Sequence, residues 1–234
     1  MMITPTKKSG ETMGNFVSRV KATYSLSKLA YTARLDPMAK GVVPFLIGSQ
    51  CLKISQSLNS NKTYQVKIII GIQTDTDDPL GIISSIKEYD LALEELIKQS
   101  ICNYLDLLDS TTFKQKYHHY STKMMNHRRR GVIVDDSTHL VSVLGHKIIK
   151  ESKYSFDDFK SKVIKKINLI DKSNNFRQDV IVDQWEKMHL ETLSYIKLEI
   201  SVSSGFFIRQ LIRDMSESIG FPLMCYNINR VSID

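Results

Sequence analysis

Four groups of residues in this chain have the types and spacing to do chemistry. In "YTARLDPMAKG" (31–41), Asp36 is followed by proline, small and apolar residues, and Gly41. Two readings compete there. Proline bars the preceding residue from the α region and favours the first helical position, and aspartate is a preferred N-cap, so Asp36-Pro37 reads as a helix cap. A carboxylate is also ionised near neutral pH and can act as nucleophile or base without a cofactor, given a neighbour that orients it and balances its charge. "SSGFFIRQLIRD" (203–214) offers such a neighbour, because Arg209 and Arg213 are four apart and share a helix face opposite the apolar one. That face is either a solvated basic surface or a means of putting one arginine into a cleft to grip a carboxylate in bidentate fashion. Tyr64, in "NKTYQV", begins a strand on the side of its apolar residues. Spacing alone makes it a core tyrosine with a satisfied hydroxyl. From Lys114 to Arg130 run six Lys/Arg, three histidines, two tyrosines and no acid. Bases interleaved with rings suit an RNA contact, with rings such as Tyr120 stacking on unpaired bases and Arg128, Arg129 and Arg130 tracking phosphates. "DTDDPLG" fails a calcium-loop test: counting from Asp75, Pro79, Leu80 and Ile86 fill the fifth, sixth and twelfth positions, which leaves a turn-rich loop.

Several elements must position these groups. Phe16, Val17, Val20 and Tyr24 have the period of an amphipathic helix. Tyr64, Val66, Ile68, Ile70 and Ile72 alternate along one face of a strand, and Ile196, Leu198, Ile200 and Val202 along another. "YDLALEELIKQSICNYL" has helical period. "FFIRQLIRDMSESIG" should bury Phe207, Ile208, Leu211, Ile212, Met215 and Ile219, with Gly220 as its C-cap and Pro222 just beyond. Strands and helices mix without a regular βαβ rhythm, which predicts an α+β domain around one large, mostly antiparallel sheet flanked by helices. Residues 1–234 are expected to form a single domain. The polar, Lys-rich stretch at about 145–185 reads as an exposed insertion.

Composition narrows the classes. The chain has 234 residues, 42% hydrophobic, with a formal net charge of +7. That is enough for a real core, and a basic balance fits a polyanionic partner. Cys51, Cys102 and Cys225 are far apart and form no CxxC, so neither a disulfide framework nor a structural zinc is expected, and a reducing compartment is the natural reading. The N-terminus has no apolar signal-like region, and the longest apolar runs are too short to span a bilayer. An intracellular, cytoplasmic protein with no membrane partner is expected.

Taken together the motifs resemble the TruB-type pseudouridine synthases. The family segment "GHTGxLDPxAxGxLPxxxG" is matched by "YTARLDPMAKGVVPFLIG" through Thr32, Leu35, Asp36, Pro37, Ala39, Gly41, Pro44 and Gly48. "K-x-Y" is matched by Lys62 and Tyr64, "G-x-x-TDTxDxxG" by "GIQTDTDDPLG", and "GTYIRxLxxDxGxxLG" by "GFFIRQLIRDMSESIG". "QKYHHYST" echoes "Q-x-P-P-x-YSA" through Gln115, Tyr120 and Ser121, and "KKSGET" keeps Lys7, Gly10 and Thr12 of "KPxGxT". The similarity is strong over roughly 28–82 and 196–233, weak over about 113–150 and absent across the Lys-rich stretch. The family histidine before the aspartate is Tyr31 here, the following glycine is Ala33, and the tyrosine of "GTYIR" is Phe207.

The resemblance implies isomerisation of a flipped-out uridine to pseudouridine, with a tRNA T-loop as substrate and neither metal nor organic cofactor. It makes Asp36 the catalytic group at the ribose, either attacking C1′ or removing the C2′ proton. Tyr64 would stack on the detached base and help remove the C5 proton, and Arg209 would hold Asp36 ionised. It assigns substrate contact to Lys7, Tyr31, Arg34, Leu35 and Lys62, with Leu211 walling the uracil pocket. The C-terminal PUA domain carried by guide-RNA-directed relatives is not expected here. The rival class is a former synthase that binds or chaperones tRNA without catalysis. The altered histidine favours it, and the Asp36, Tyr64 and Arg209 set opposes it.

Overall fold

A computed structural model describes residues 2–57, 59–121, 124–125 and 137–234. The strands are β1 (Met2–Ile3), β2 (Thr6–Lys7), β3 (Leu29–Tyr31), β4 (Lys40–Val42), β5 (Phe45–Ile47), β6 (Lys62–Ile70), β7 (Ile72–Thr74), β8 (Ile83–Ile86), β9 (Thr112–Lys116), β10 (Thr138–Ser155), β11 (Thr192–Val202) and β12 (Leu223–Ile233). The α-helices are α1 (Met13–Tyr24), α2 (Leu91–Leu108), α3 (Phe156–Ile167), α4 (Gln178–Lys187) and α5 (Ile208–Ile219). Seven strands form one sheet in the order β2-β4-β12-β6-β11-β10-β9, antiparallel throughout except for the parallel pair β4–β12. This is the α+β architecture expected from the sequence.

Alternation on the central strands sorts the core into two layers. Tyr64, Val66, Ile68 and Ile70 of β6 and Ile196, Leu198, Ile200 and Val202 of β11 face one side, covered by residues of α1, α2 and α5. Ile69, Leu193, Tyr195 and Met224 face the other, under α3 and α4. The expected alternation stops one residue early. Gly71 sits at φ +92°, a conformation that L side chains rarely adopt, and β6 ends there, so Ile72 packs in the second layer. α1 buries Phe16 and Val20, while Tyr24 is exposed at its last turn. α5 ends at Gly220 in the left-handed conformation as expected; Phe207 precedes the helix as its N-cap, and it and Ile219 are half-buried.

Residues 145–185 are not an exposed insertion. Gly145–Ser155 continue β10 paired with β11, with a register shift between Ile148 and Lys150, and α3 and α4 cover the second sheet face with Phe156, Phe159, Val163, Ile167, Ile181 and Trp185. Average polarity hid these apolar positions, which recur at helical spacing among lysines that stay on the outer surface. Among the described residues no helix is long and apolar enough to cross a membrane.

Candidate active site

No helix begins at Pro37. The chain turns there, with the Ala39 N–H donating to the Asp36 carbonyl at 3.1 Å, and continues into β4. The capping reading of Asp36 is thereby overturned. The turn is held from its main chain. Lys7 donates its ammonium to the carbonyls of Asp36 (3.0 Å), Pro37 (3.2 Å) and Ala39 (2.8 Å), and the Ser9 hydroxyl donates to Met38 O at 2.9 Å. On the other flank Arg230 donates to Arg34 O and Val42 O. Gly41 lets β4 close on β12: a Cβ there would lie 2.2 Å from Arg230 O. The backbone is thus fixed while the Asp36 side chain remains 37% exposed.

Arg209, in the first turn of α5, meets that carboxylate from within. It is buried, its Nε donates to Asp36 Oδ2 at 2.8 Å, its Nη1 donates to Thr76 O at 3.0 Å, and Asp78 Oδ2 lies 3.7 Å away. Burial alone would lower its pKa, but the charges of Asp36 and Asp78 more than offset this, and the net shift is upward. Tyr64 is buried beside Leu35, Leu211 and Ile228 in the same layer and stands opposite Arg230 across the β6–β12 pairing. Burial pushes its hydroxyl pKa up, the Asp36 charge adds to this, and Arg230 opposes it.

Lys7, expected to contact substrate, is fully buried, whereas Lys62 keeps 9% of its surface. Their ammonium groups are spent on main-chain carbonyls, that of Lys62 on Ser60 O. Burial pushes both down to about 8. Lys7 thereby holds the backbone of the Asp36 turn. Tyr31 and Arg34 are closer to expectation: Arg34 is exposed, with its guanidinium 5.3 Å above the half-buried Tyr31 ring. Arg128, Arg129 and Arg130 lie outside the described residues.

The sequence reading missed a second ring of charges behind Asp36. Arg213 does share a helix face with Arg209, but that face packs on the 74–81 loop rather than on water. Arg213 Nε donates to Asp77 Oδ2 at 2.7 Å and its Nη2 donates to Asp75 O at 2.8 Å. The buried His118 ring is a second partner of the same oxygen, with Nε2 2.9 Å from Asp77 Oδ2. The Tyr120 N–H donates to His118 Nδ1, so Nε2 carries the proton that bonds Asp77. His118 therefore cannot stack on a base as the basic run suggested. Burial and the nearby Arg209 and Arg213 charges push it down to about 2, while burial pushes Asp77 up. Asp75 accepts both arms of Arg177 (2.7 and 3.2 Å) and the Tyr120 hydroxyl (3.1 Å). "TDTDDPLG" is a turn, but one whose carboxylates are each matched to a cation. The available signal was three acids in four positions, with arginines at compatible spacing far along the chain.

Comparison with known proteins places this arrangement. The family described as "TruB family pseudouridylate synthase (N terminal domain)" matches residues 21–165. The chain belongs to the TruB family. Among TruB relatives, "tRNA pseudouridine synthase B" of Tolumonas auensis is 22% identical over 229 residues, covering 97% of this chain and 58% of the relative. The protein of the same name from Blochmanniella pennsylvanica is 24% identical over 230 residues, covering 97% and 72%. The chain thus spans little more than half the length of the first of these. A solved chain described as "Crystal Structure of a Cbf5-Nop10-Gar1 Complex" shares the fold, with a TM-score of 0.57, 14% identity, and coverage of 99% of this chain and 48% of that one.

Proposed function

We propose that this chain is an RNA pseudouridine synthase acting on a uridine of the tRNA T-loop. The observation that carries the reading is a carboxylate, Asp36, whose backbone is locked, whose side chain reaches solvent, and whose one oxygen is held at 2.8 Å by a buried arginine. The curated relatives are named for this activity on tRNA.

The target uridine leaves its stack to reach Asp36. Asp36 acts at the ribose, and Arg209 keeps it ionised and aimed. Tyr64, whose hydroxyl burial keeps protonated at neutral pH, presents its ring to the freed base. Leu35 and Leu211 wall the base, and Tyr31 with Arg34 contacts RNA at the mouth. Arg128, Arg129, Arg130 and Tyr120 contribute to RNA binding. A cytoplasmic location is part of this proposal.

The test is Asp36→Asn. The main-chain grips of Lys7, Ser9 and Arg230 are untouched by it, so the variant should fold and bind a T-stem-loop hairpin yet form no pseudouridine. Retained turnover in the folded variant overturns the synthase reading. A wild-type protein that binds the hairpin without converting it identifies the non-catalytic relative instead.

A further inference from the structure

The sheet face away from Tyr64 is open beyond the cover of α3 and α4, and register places lysines across it. Lys67 of β6 stands opposite Lys197 of β11, which stands opposite Lys150 of β10. In the next row Lys40 pairs with Asn229, Asn229 with Gln65, Gln65 with Glu199, and Glu199 with Lys147. Lys40, Gln65, Lys67, Lys197, Asn227 and Asn229 line a pocket of about 230 Å³ on this face. Like charges directly opposite one another on neighbouring strands destabilise a sheet. Here three lie in a line, and the carboxylate of the adjacent row, Glu199, is engaged by the Gln65 amide at 3.0 Å.

Two of the cations are held in place. The Lys67 ammonium lies 4.2 Å from the Tyr195 ring centroid and 4.9 Å from that of Tyr154, whose hydroxyl it also bonds. Lys166 of α3 lies 4.0 Å over Tyr226 and donates to Tyr226 O and Asn227 Oδ1. Burial pushes Lys166 down to about 8, with lesser contributions from Lys40 and Lys67.

We infer that this lysine-lined face is a second RNA-binding surface, which takes the phosphodiester backbone of the substrate outside the T-loop. A line of cations across three strands suits a linear polyanion better than a single ion. The interleaved Asn227, Asn229 and Gln65 amides can bond phosphate oxygens and 2′-hydroxyls. A membrane surface is disfavoured because these amides stand where lipid would require exposed apolar side chains. The inference rests on RNA being the substrate class, and its test needs no turnover.

The variant is Lys150→Gln with Lys197→Gln, neither of which belongs to the proposed catalytic set. Binding is measured against salt with full-length tRNA and with the isolated T-stem-loop, alongside thermal unfolding of the free protein at low salt. The double variant should melt higher than wild type, because repulsion is relieved. The slope of log affinity against log salt for full-length tRNA should fall by about two, one for each lost phosphate contact. Hairpin affinity should be unchanged. An unchanged slope with full-length tRNA overturns the proposal, and so does an equal loss with the hairpin, which would assign the lysines to the Asp36 site. Binding of wild type to anionic phospholipid vesicles in preference to tRNA overturns it in favour of a membrane.

Discussion

His118 should make this protein acid-labile well above the carboxylate range. Its ring is fully buried, Nε2–H is committed to Asp77, and Nδ1 accepts from the Tyr120 N–H. Burial disfavours a charged ring there, and the Arg209 and Arg213 charges add to this, so the folded pKa is pushed down to about 2. In the unfolded chain the same imidazole titrates near 6.5. A group depressed in the folded state contributes stability that is complete above its unfolded pKa and is lost as pH falls. The unfolded state therefore gains a proton that the native state refuses, at about 1.4 kcal/mol per pH unit. Integrated between pH 7.5 and 4.5 that amounts to about 2.7 kcal/mol, or a fall of roughly 5–11 °C in Tm for a chain of this size. Asp77 works in the opposite direction, because its raised pKa adds stability as pH falls, but it is present in wild type and variant alike. The assay is thermal or urea unfolding across pH 4.5–7.5 for wild type and His118→Gln, whose amide keeps a donor for Asp77 and does not titrate. The difference between the two should change by that amount across the window. Parallel profiles would show that His118 takes up a proton as readily in the native protein as in the unfolded chain and would refute the tautomer and pairing described here.

Other outcomes follow from the same geometry. Arg209→Lys keeps the charge but cannot bond Asp36 and Thr76 O together, so it should lose about 1.5–3 kcal/mol of stability together with most turnover on a T-stem-loop. Matched unfolding and single-turnover measurements check this, and an unperturbed variant would show that the fork is unnecessary. Lys7→Met leaves carbonyls of the Asp36 turn without a donor. It should cost about 1–3 kcal/mol in urea unfolding and weaken turnover without altering the salt dependence of RNA binding, because the ammonium touches no substrate.

Much of this protein was legible one-dimensionally. The period of β6 and β11, the amphipathicity of α5 and its Gly220 stop are local properties, dictated by side-chain alternation and backbone sterics, and they led to the observed α+β sheet. The Asp36–Arg209 pair was suggested by motif order, and the structure brings the two within 2.8 Å. Composition misled at 145–185, where lysines outnumber the few well-spaced apolar residues that anchor α3 and α4, and Gly71 moved Ile72 across the sheet. What only the tertiary structure decided is the partner of each charge. Whether Asp36 capped a helix or met Arg209 depended on β4 pairing with β12 and on Lys7 arriving from far up the chain. Whether Arg213 faced water or Asp77, and whether Lys67, Lys197 and Lys150 lay side by side, depended on register. Coulomb energy and desolvation depend on distance and burial in space, and a sequence states neither.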